Sequence, residues 1–314
     1  MKRIYRKLRF LMREIFALRA AHGPYRFLVR KWDAISDVDL AQRVLETDFF
    51  SHELNPLPLP LDEIKSILVL APHQDDEIIG AGGLLALASK KGSRIDILYL
   101  TDGAEINSRY ADSMAESGRI RNMEAREICR HLGATMHQLP ISNVSPRPTS
   151  ADLDELAEII HRLQPQVVLA PWLLDSPAKH RLANHLLWLA NKRRRLPDFE
   201  VWGYQVHNTL LPNGYVDITE VAQEKRELLQ CYRSQNDFSK RYDHLAMGMA
   251  VWNSRFLRTP EPKFVEVFFT VPLKEFLRLV ENFYLADLEA TYRGHETVLS
   301  GAMNIHQTVS KTTV

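Results

Sequence analysis

Between residues 66 and 83 the chain reads SILVLAPHQDDEIIGAGG, an apolar run that ends in His73, Asp75, Asp76 and Glu77. Three carboxylates and an imidazole at the end of a buried-type strand are costly to desolvate without a counter-charge, and the stretch holds no Lys or Arg. Two arrangements answer that cost: a divalent cation, or exposure of the whole turn to water. His73 and Asp76 stand three residues apart on a tight turn, so their side chains can converge on one point. Neutral imidazole and carboxylate suit zinc, and a catalytic zinc takes three protein ligands and leaves a further position open. The third ligand has to come from another loop at the same edge of a sheet, and His180 is the natural candidate. Asp75 would then stand beside the metal without binding it, placed to take a proton from water. By spacing alone an HxxD turn is a weak signal, more often an exposed loop than a metal site.

The elements that must position these groups alternate along the chain. Ile67 to Leu70, Arg94 to Leu100, Ala134 to Leu139 and Val167 to Ala170 read as strands. Leu84 to Lys91, Arg119 to Leu132, Asp152 to Leu163 and Leu182 to Arg194 read as helices. The strands are short and apolar without alternation, as when helices cover both faces. The expected fold is therefore α/β: a Rossmann-like, doubly wound, mostly parallel sheet with helices on both faces. In such sheets sites gather at the carboxyl ends of strands. HQDDE, the TDG of Thr101 to Gly103 and the PWLLDSPAKH of Pro171 to His180 all fall at those ends. Beyond residue 197, Glu200 to Val206, Tyr215 to Ile218 and Phe264 to Val271 read as further strands, with a helix over Thr219 to Tyr232.

Gly80, Gly82 and Gly83 after a strand invite a dinucleotide reading, with Asp102 as the ribose acid. GAGG is not GxGxxG, and acids at the turn would repel a pyrophosphate. The glycines are better explained by tight packing of a helix on the sheet.

PHQDDE followed by GAGG resembles the AHPDDE signature of the LmbE-like, or PIG-L, deacetylases, zinc enzymes that remove the acetyl group from N-acetylglucosamine units. The resemblance runs over roughly residues 64 to 240. RNMEAREICRHLG (121–133) is similar to the family's R-x-x-E helix, DSPAKHR (175–181) to its D-x-H-P-D-H, and KRELLQCYRSQ (225–235) to its K…SQ segment. It implies His73, Asp76 and His180 as ligands of zinc, or of another divalent metal, Asp75 as general base and Arg121 as a substrate-binding residue. Glu77 would orient a ligand from behind. It also implies an N-acetylated sugar as substrate. Gln74 replaces a proline without a chemical role. Pro177 stands where the motif has its first histidine, and Lys179 where it has an aspartate. That histidine would help the oxyanion or the leaving amine, so another donor, with His207 the candidate, or Asp75 itself must act. The other reading is a metal-containing sugar-binding module that has lost turnover; retention of Asp75 argues for hydrolysis. Trp172, Trp188, Trp202 and Trp252 read mostly as core, although Trp172 lies close enough to the His180 loop to stack on a sugar ring. For Arg121 the bland reading is an ion pair with Glu124.

Composition sets the surroundings. The 314 residues are 45% hydrophobic and 25% charged with a net charge of +1, which gives no case for nucleic-acid binding. Two cysteines, Cys129 and Cys231, make no disulfide framework, so a cytoplasmic setting is expected. No stretch is long and apolar enough to span a membrane. From Lys2 to Lys31, however, there are ten Lys and Arg and one acid. Ile4, Leu8, Leu11, Ile15 and Leu18 share one helical face. Such an arm suits either packing on the main domain or peripheral contact of residues 1–30 with an anionic membrane at its inner face. The expected organisation is a basic helical extension over 1–60, ending in a proline connector, a catalytic domain over 61–285 and a tail over 286–314.

Overall fold

The computed structural model describes residues 43–44, 56–105, 110–175, 178–236, 241–257 and 259–281. The basic arm, the tail from 286 and Pro177 lie outside the described residues. The chain divides into two units, and all the described residues belong to the second, residues 37–314.

Strands β1 (Leu57–Pro58), β2 (Ser66–Ala71), β3 (Arg94–Thr101), β4 (Thr135–Ile141), β5 (Val167–Pro171), β6 (Glu200–Tyr204), β7 (Gly214–Asp217) and β8 (Val265–Pro272) form one sheet, in the order β1-β7-β8-β6-β5-β2-β3-β4. From β4 to β6 every pairing is parallel. β8 runs antiparallel to both β6 and β7 and extends the sheet. The expected fold class is borne out, with this antiparallel extension added. Leu57 and Pro58, read as part of the proline connector, instead form an edge strand on Gly214 and Tyr215. Proline is tolerated there because an edge strand has one side that needs no ladder donor.

The helices are α1 (Asp76–Lys90), α2 (Met114–Leu132), α3 (Ser150–Leu163), α4 (Leu182–Arg193), α5 (Ala222–Cys231), α6 (Tyr242–Asn253) and α7 (Leu273–Val280). Local signals set several ends. Ser113 accepts from the Glu116 amide at the start of α2, and Gly133 closes it at φ 63°. Thr149 and Asp152 form a capping box on α3. α6 and α7 were not anticipated from the sequence. None of the described helices is long and apolar enough to cross a membrane.

Because side chains alternate along a strand, β2 feeds two cores. Leu68 and Leu70 join Leu98 and Val168 under α3, α4 and α7, through Leu156, Leu186 and Phe276. Ile67 and Val69 join Ile97 and Leu169 under α1, α2 and α5, through Ile78, Ile128 and Leu228. Trp172 is buried in the first core with its ring edge-on to Phe269, so it is not open to a sugar. Trp252, expected in the core, is 68% exposed.

α1 starts eight residues earlier than its apolar pattern suggests, so the glycines lie inside it. They let the helix sit on its neighbours. A Cβ at Gly80 would fall 2.2 Å from Tyr204 Cδ2 and 2.9 Å from the Gln205 carbonyl. Tyr204 cannot swing aside without giving up its hydroxyl bond to the Leu70 carbonyl. Gly80→Ala should therefore destabilise the protein by about 1–3 kcal/mol through overpacking. In thermal denaturation this reads as a fall of several degrees, at roughly 2–4 °C per kcal/mol for a chain of about this size. An unchanged melting temperature would contradict this close packing of α1 on β6.

Candidate metal centre

In the parallel part of the sheet the chain order reverses between β2 and β5, which are hydrogen-bonded neighbours. Their following loops diverge to opposite faces, and a crevice opens between them at the carboxyl ends. The β2 loop carries His73 and the start of α1. The β5 loop carries Asp175 and His180. His73, Asp76 and His180 offer ligand atoms that all lie within 4.8 Å of one another.

The donor chemistry of the three is set by their other contacts. His180 Nδ1 lies 2.8 Å from Asp175 Oδ2, and a carboxylate only accepts, so Nδ1 carries the proton and Nε2 faces Asp76 Oδ1 at 3.5 Å. Asp175 is held in turn, its Oδ1 accepting the amides of His207 and Asn208. His73 Nε2 lies 2.9 Å from Asn143 Oδ1, whose amide is oriented because its Nδ2 donates to the Ala104 carbonyl. His73 therefore keeps its proton on Nε2 and turns Nδ1 toward Asp76 Oδ2, at 3.1 Å. Burial pushes the His73 pKa down, which favours the neutral ring. Burial would raise Asp76, but His180 and His73 outweigh it and hold the carboxyl low. For His180, burial opposes the charged ring, yet Asp76 and Asp175 raise its pKa. Three acceptor atoms thus face one another in a buried pocket, and only a cation, a proton or a metal, relieves them. Two imidazoles and a carboxylate, with a carboxylate behind one imidazole, are a donor set that fits a zinc-like divalent ion.

Asp75 lies next to this cluster, outside the ligand group, with φ 147°. That conformation is strained for a non-glycine residue. Two groups hold it. The Asp75 amide donates to Glu77 Oε2, and Arg121 Nη2 donates to both Asp75 Oδ1 and the Gln74 carbonyl. Burial pushes the Asp75 pKa well up, opposed by Arg121. Glu77 also receives the hydroxyls of Tyr99 and Tyr232, and burial lifts it to about 7 against those bonds.

Arg121 does not pair with Glu124. Glu124 accepts from the Ser234 amide and hydroxyl, so the two motif pieces around residues 124 and 234 are joined. Arg121 contacts Glu105 as well as Asp75, and its buried Nε has no hydrogen-bond partner among the described residues. Gln74, read as inert, is fully buried and ties the turn to the Thr101 carbonyl and Asn122. Asp102, weighed as a ribose acid, instead accepts the amides of Ala104 and Asn143. His207 stacks beside His180 at 4.9 Å, and Tyr242 follows at 5.9 Å. Asn143 and Lys179 are the residues that sequence reasoning missed as parts of the site. Nothing local marks Asn143, which reaches His73 across 70 positions of chain.

Residues 68–191 match the family model described as PIG-L, GlcNAc-PI de-N-acetylase. The 4-oxalmesaconate hydratase of Pseudomonas putida is 26% identical over 211 residues, 61% of this chain and 82% of that protein. The diacetylchitobiose deacetylase of Thermococcus kodakarensis is 28% identical over 192 residues, 56% of this chain and 72% of that protein. The solved N,N'-diacetylchitobiose deacetylase from Pyrococcus horikoshii superposes with a TM-score of 0.60 at 24% identity, over 75% of this chain and 93% of that one. This last likeness is one of fold. The resemblance drawn from the motifs is borne out, and the matched segment contains His73, Asp75, Asp76, Arg121 and His180.

His180→Ala should remove most of the bound metal when the purified protein is assayed by elemental analysis. Asp175→Ala should leave the ligands in place but weaken metal affinity about 10- to 100-fold in a competition titration, because His180 loses its orienting partner. Wild-type affinity in the Asp175 variant would show that the carboxylate does not orient the ring.

Proposed function

We propose that this PIG-L-type chain is a zinc-dependent hydrolase that removes the acetyl group from an N-acetylated amino sugar, releasing acetate and a free amine. The observation that carries the reading is Asp75, a carboxylate beside the ligand group that is held in a strained conformation and kept out of it. A divalent ion on His73, Asp76 and His180 would supply Lewis acidity, polarising an amide carbonyl and acidifying water.

Asp75 takes the proton of the attacking water. Burial raises its pKa, which makes it a stronger base than an ordinary carboxylate. Arg121 fixes Asp75 Oδ1 and Glu77 fixes the Asp75 amide, so the base meets the substrate in one orientation. Water adds to the carbonyl carbon, and the carbon–nitrogen bond breaks as the nitrogen takes a proton. Asp75 can return that proton, or His207, beside His180, can supply one in place of the histidine that Pro177 replaces.

Water addition to a double bond, the activity named for the hydratase relative, would use a similar base but release no acid. Acetate therefore separates the two chemistries. The metal-loaded protein should release acetate from at least one member of a panel of N-acetylated sugars. No acetate from any would overturn the reading.

Asp75→Asn should keep its metal and lose about 10²-fold or more in turnover, the scale of general base catalysis. Loss of metal in this variant would mean that Asp75, not Asp76, is the ligand.

The basic arm, residues 1–30, would bring the enzyme to an anionic membrane at the cytoplasmic face, each Lys or Arg near the surface contributing about 1 kcal/mol. Full-length protein should sediment with anionic vesicles at low salt, and a version lacking residues 1–30 should not. Equal, negligible binding by both forms would leave the arm to packing.

A further inference from the structure

We propose that the outward face of α6 docks on an anionic lipid surface. The inference goes beyond the role given to residues 1–30, because it assigns a second contact that lies on the catalytic domain itself.

α6 packs on β8, α5 and α1, with Ala246, Met247 and Ala250 buried. Helical spacing puts Leu245, Gly248 and Trp252 on the opposite face, with Val251 at its margin and Arg241, His244 and Arg255 among them. All seven are exposed. Leu245, Val251 and Trp252 each leave more than half of their surface open, at 53%, 51% and 68%. A Cβ on Gly248 would meet nothing within 4 Å, so the middle of the face is uncovered as well.

The charge on this face points to its occupant. Between residues 241 and 257 the one acid is Asp243, which is buried and bound by Arg241. Glu261, in the loop that follows, pairs with Lys263. Arg255 donates to the Trp252 carbonyl and to Asn253 Oδ1, both neutral. Partial burial lowers its pKa, and no acid among the described residues acts to raise it. Its guanidinium lies 5.0 Å from the centre of the Trp252 ring and 4.3 Å from that of Phe256. A cation without a counter-ion, held against aromatic rings beside an apolar strip, matches the division of an interfacial helix. There the apolar side chains reach the acyl boundary, Trp sits at headgroup level and the basic groups meet phosphates. A rigid partner would have to supply both a groove for this ridge and an acid for Arg255, whereas an anionic bilayer deforms to supply both.

The helix also starts at the crevice. The ring of Tyr242, its first residue, is 5.9 Å from that of His207, which is 4.9 Å from that of His180. Docking of α6 would therefore hold the candidate metal centre close to the lipid surface.

Stable anchoring takes two weak signals, so loss of either the arm or the α6 face should weaken binding. Full-length protein is sedimented with phosphatidylcholine vesicles, with and without phosphatidylglycerol. A variant carrying both Leu245→Ser and Trp252→Ser changes only exposed side chains, and its melting temperature should hold. Its partition onto the anionic vesicles should fall about tenfold or more, as two large apolar side chains no longer enter the interface. Arg255→Gln should narrow the preference for anionic over neutral vesicles. Quenching of tryptophan fluorescence by brominated lipid gives a local readout in wild type and Trp252→Phe. Trp172, Trp188 and Trp202 are buried, and Trp32 is common to both proteins, so the difference reports Trp252 alone. Wild type should be the more strongly quenched. Unchanged partition in the double variant, equal quenching of wild type and Trp252→Phe, or no binding of the full-length protein to anionic vesicles overturns the inference. Failure of the arm reading is seen separately, as full binding by a version lacking residues 1–30.

Discussion

Three acceptor atoms, His73 Nδ1, Asp76 Oδ and His180 Nε2, face one another at the carboxyl end of the sheet, with Asp76 and His180 buried and His73 partly so. Like-signed lone pairs at this range repel, and a low local dielectric sharpens the repulsion. Much of the surrounding structure makes sense as a response to that constraint. Asp175 and Asn143 fix the tautomers of the two imidazoles, so that both turn a lone pair inward. The amides of His207 and Asn208 hold Asp175 in turn. A cation is what this arrangement lacks within its own covalent structure, and the donor types point to a divalent metal.

The same site stores backbone strain. At φ 147° Asp75 adopts a conformation that costs on the order of 1–3 kcal/mol and persists only where neighbours over-determine it. Those neighbours come from separate parts of the fold: Glu77 from α1, Arg121 from α2, and behind Glu77 the hydroxyls of Tyr99 on β3 and Tyr232 after α5. Asp75 stands outside the ligand group while its neighbour Asp76 joins it. Two adjacent aspartates thereby acquire different chemistries.

α1 must be rigid to present Asp76, and it is anchored by a buried ion pair. Glu266 on β8 accepts the amides of Gly83 and Leu84 in the middle of the helix, and Lys225 donates to both Glu266 and the Ile79 carbonyl. A buried pair is weak evidence for stability, since desolvation offsets much of the attraction. Here it fixes the depth and rotation of α1 against the antiparallel extension of the sheet. Glycines on the same helix let it approach closely enough for those bonds to form.

The sequence by itself determined the parallel α/β sheet, because runs such as Ile67 to Leu70 are apolar on both faces and only helices on both sides can bury them. It also offered His73, Asp76 and His180 as candidates, because acids and imidazoles at strand ends without local cations need either a counter-charge or water, and the family resemblance implied the former. Asp75 was legible from its place between the two candidate ligands, and Arg121 only from the family resemblance. The tertiary structure decided what depends on distant contacts. The start of α1 at Asp76 was hidden because glycines, poor helix formers, earn their place only by packing against Tyr204 and Ile218. The antiparallel placing of β8 carries no local signal, since a strand's direction is set by its partners. Trp172 is core as its pattern suggested, and Phe269 with the first core closes it to a sugar. Asn143 and Glu105 enter the site from other stretches of chain, and a hydrogen bond between residues 143 and 73 leaves no periodicity to read. Sequence pattern records which residues are buried together with their neighbours in the chain; which charges and lone pairs meet across the crevice is fixed only when the strands have found their order.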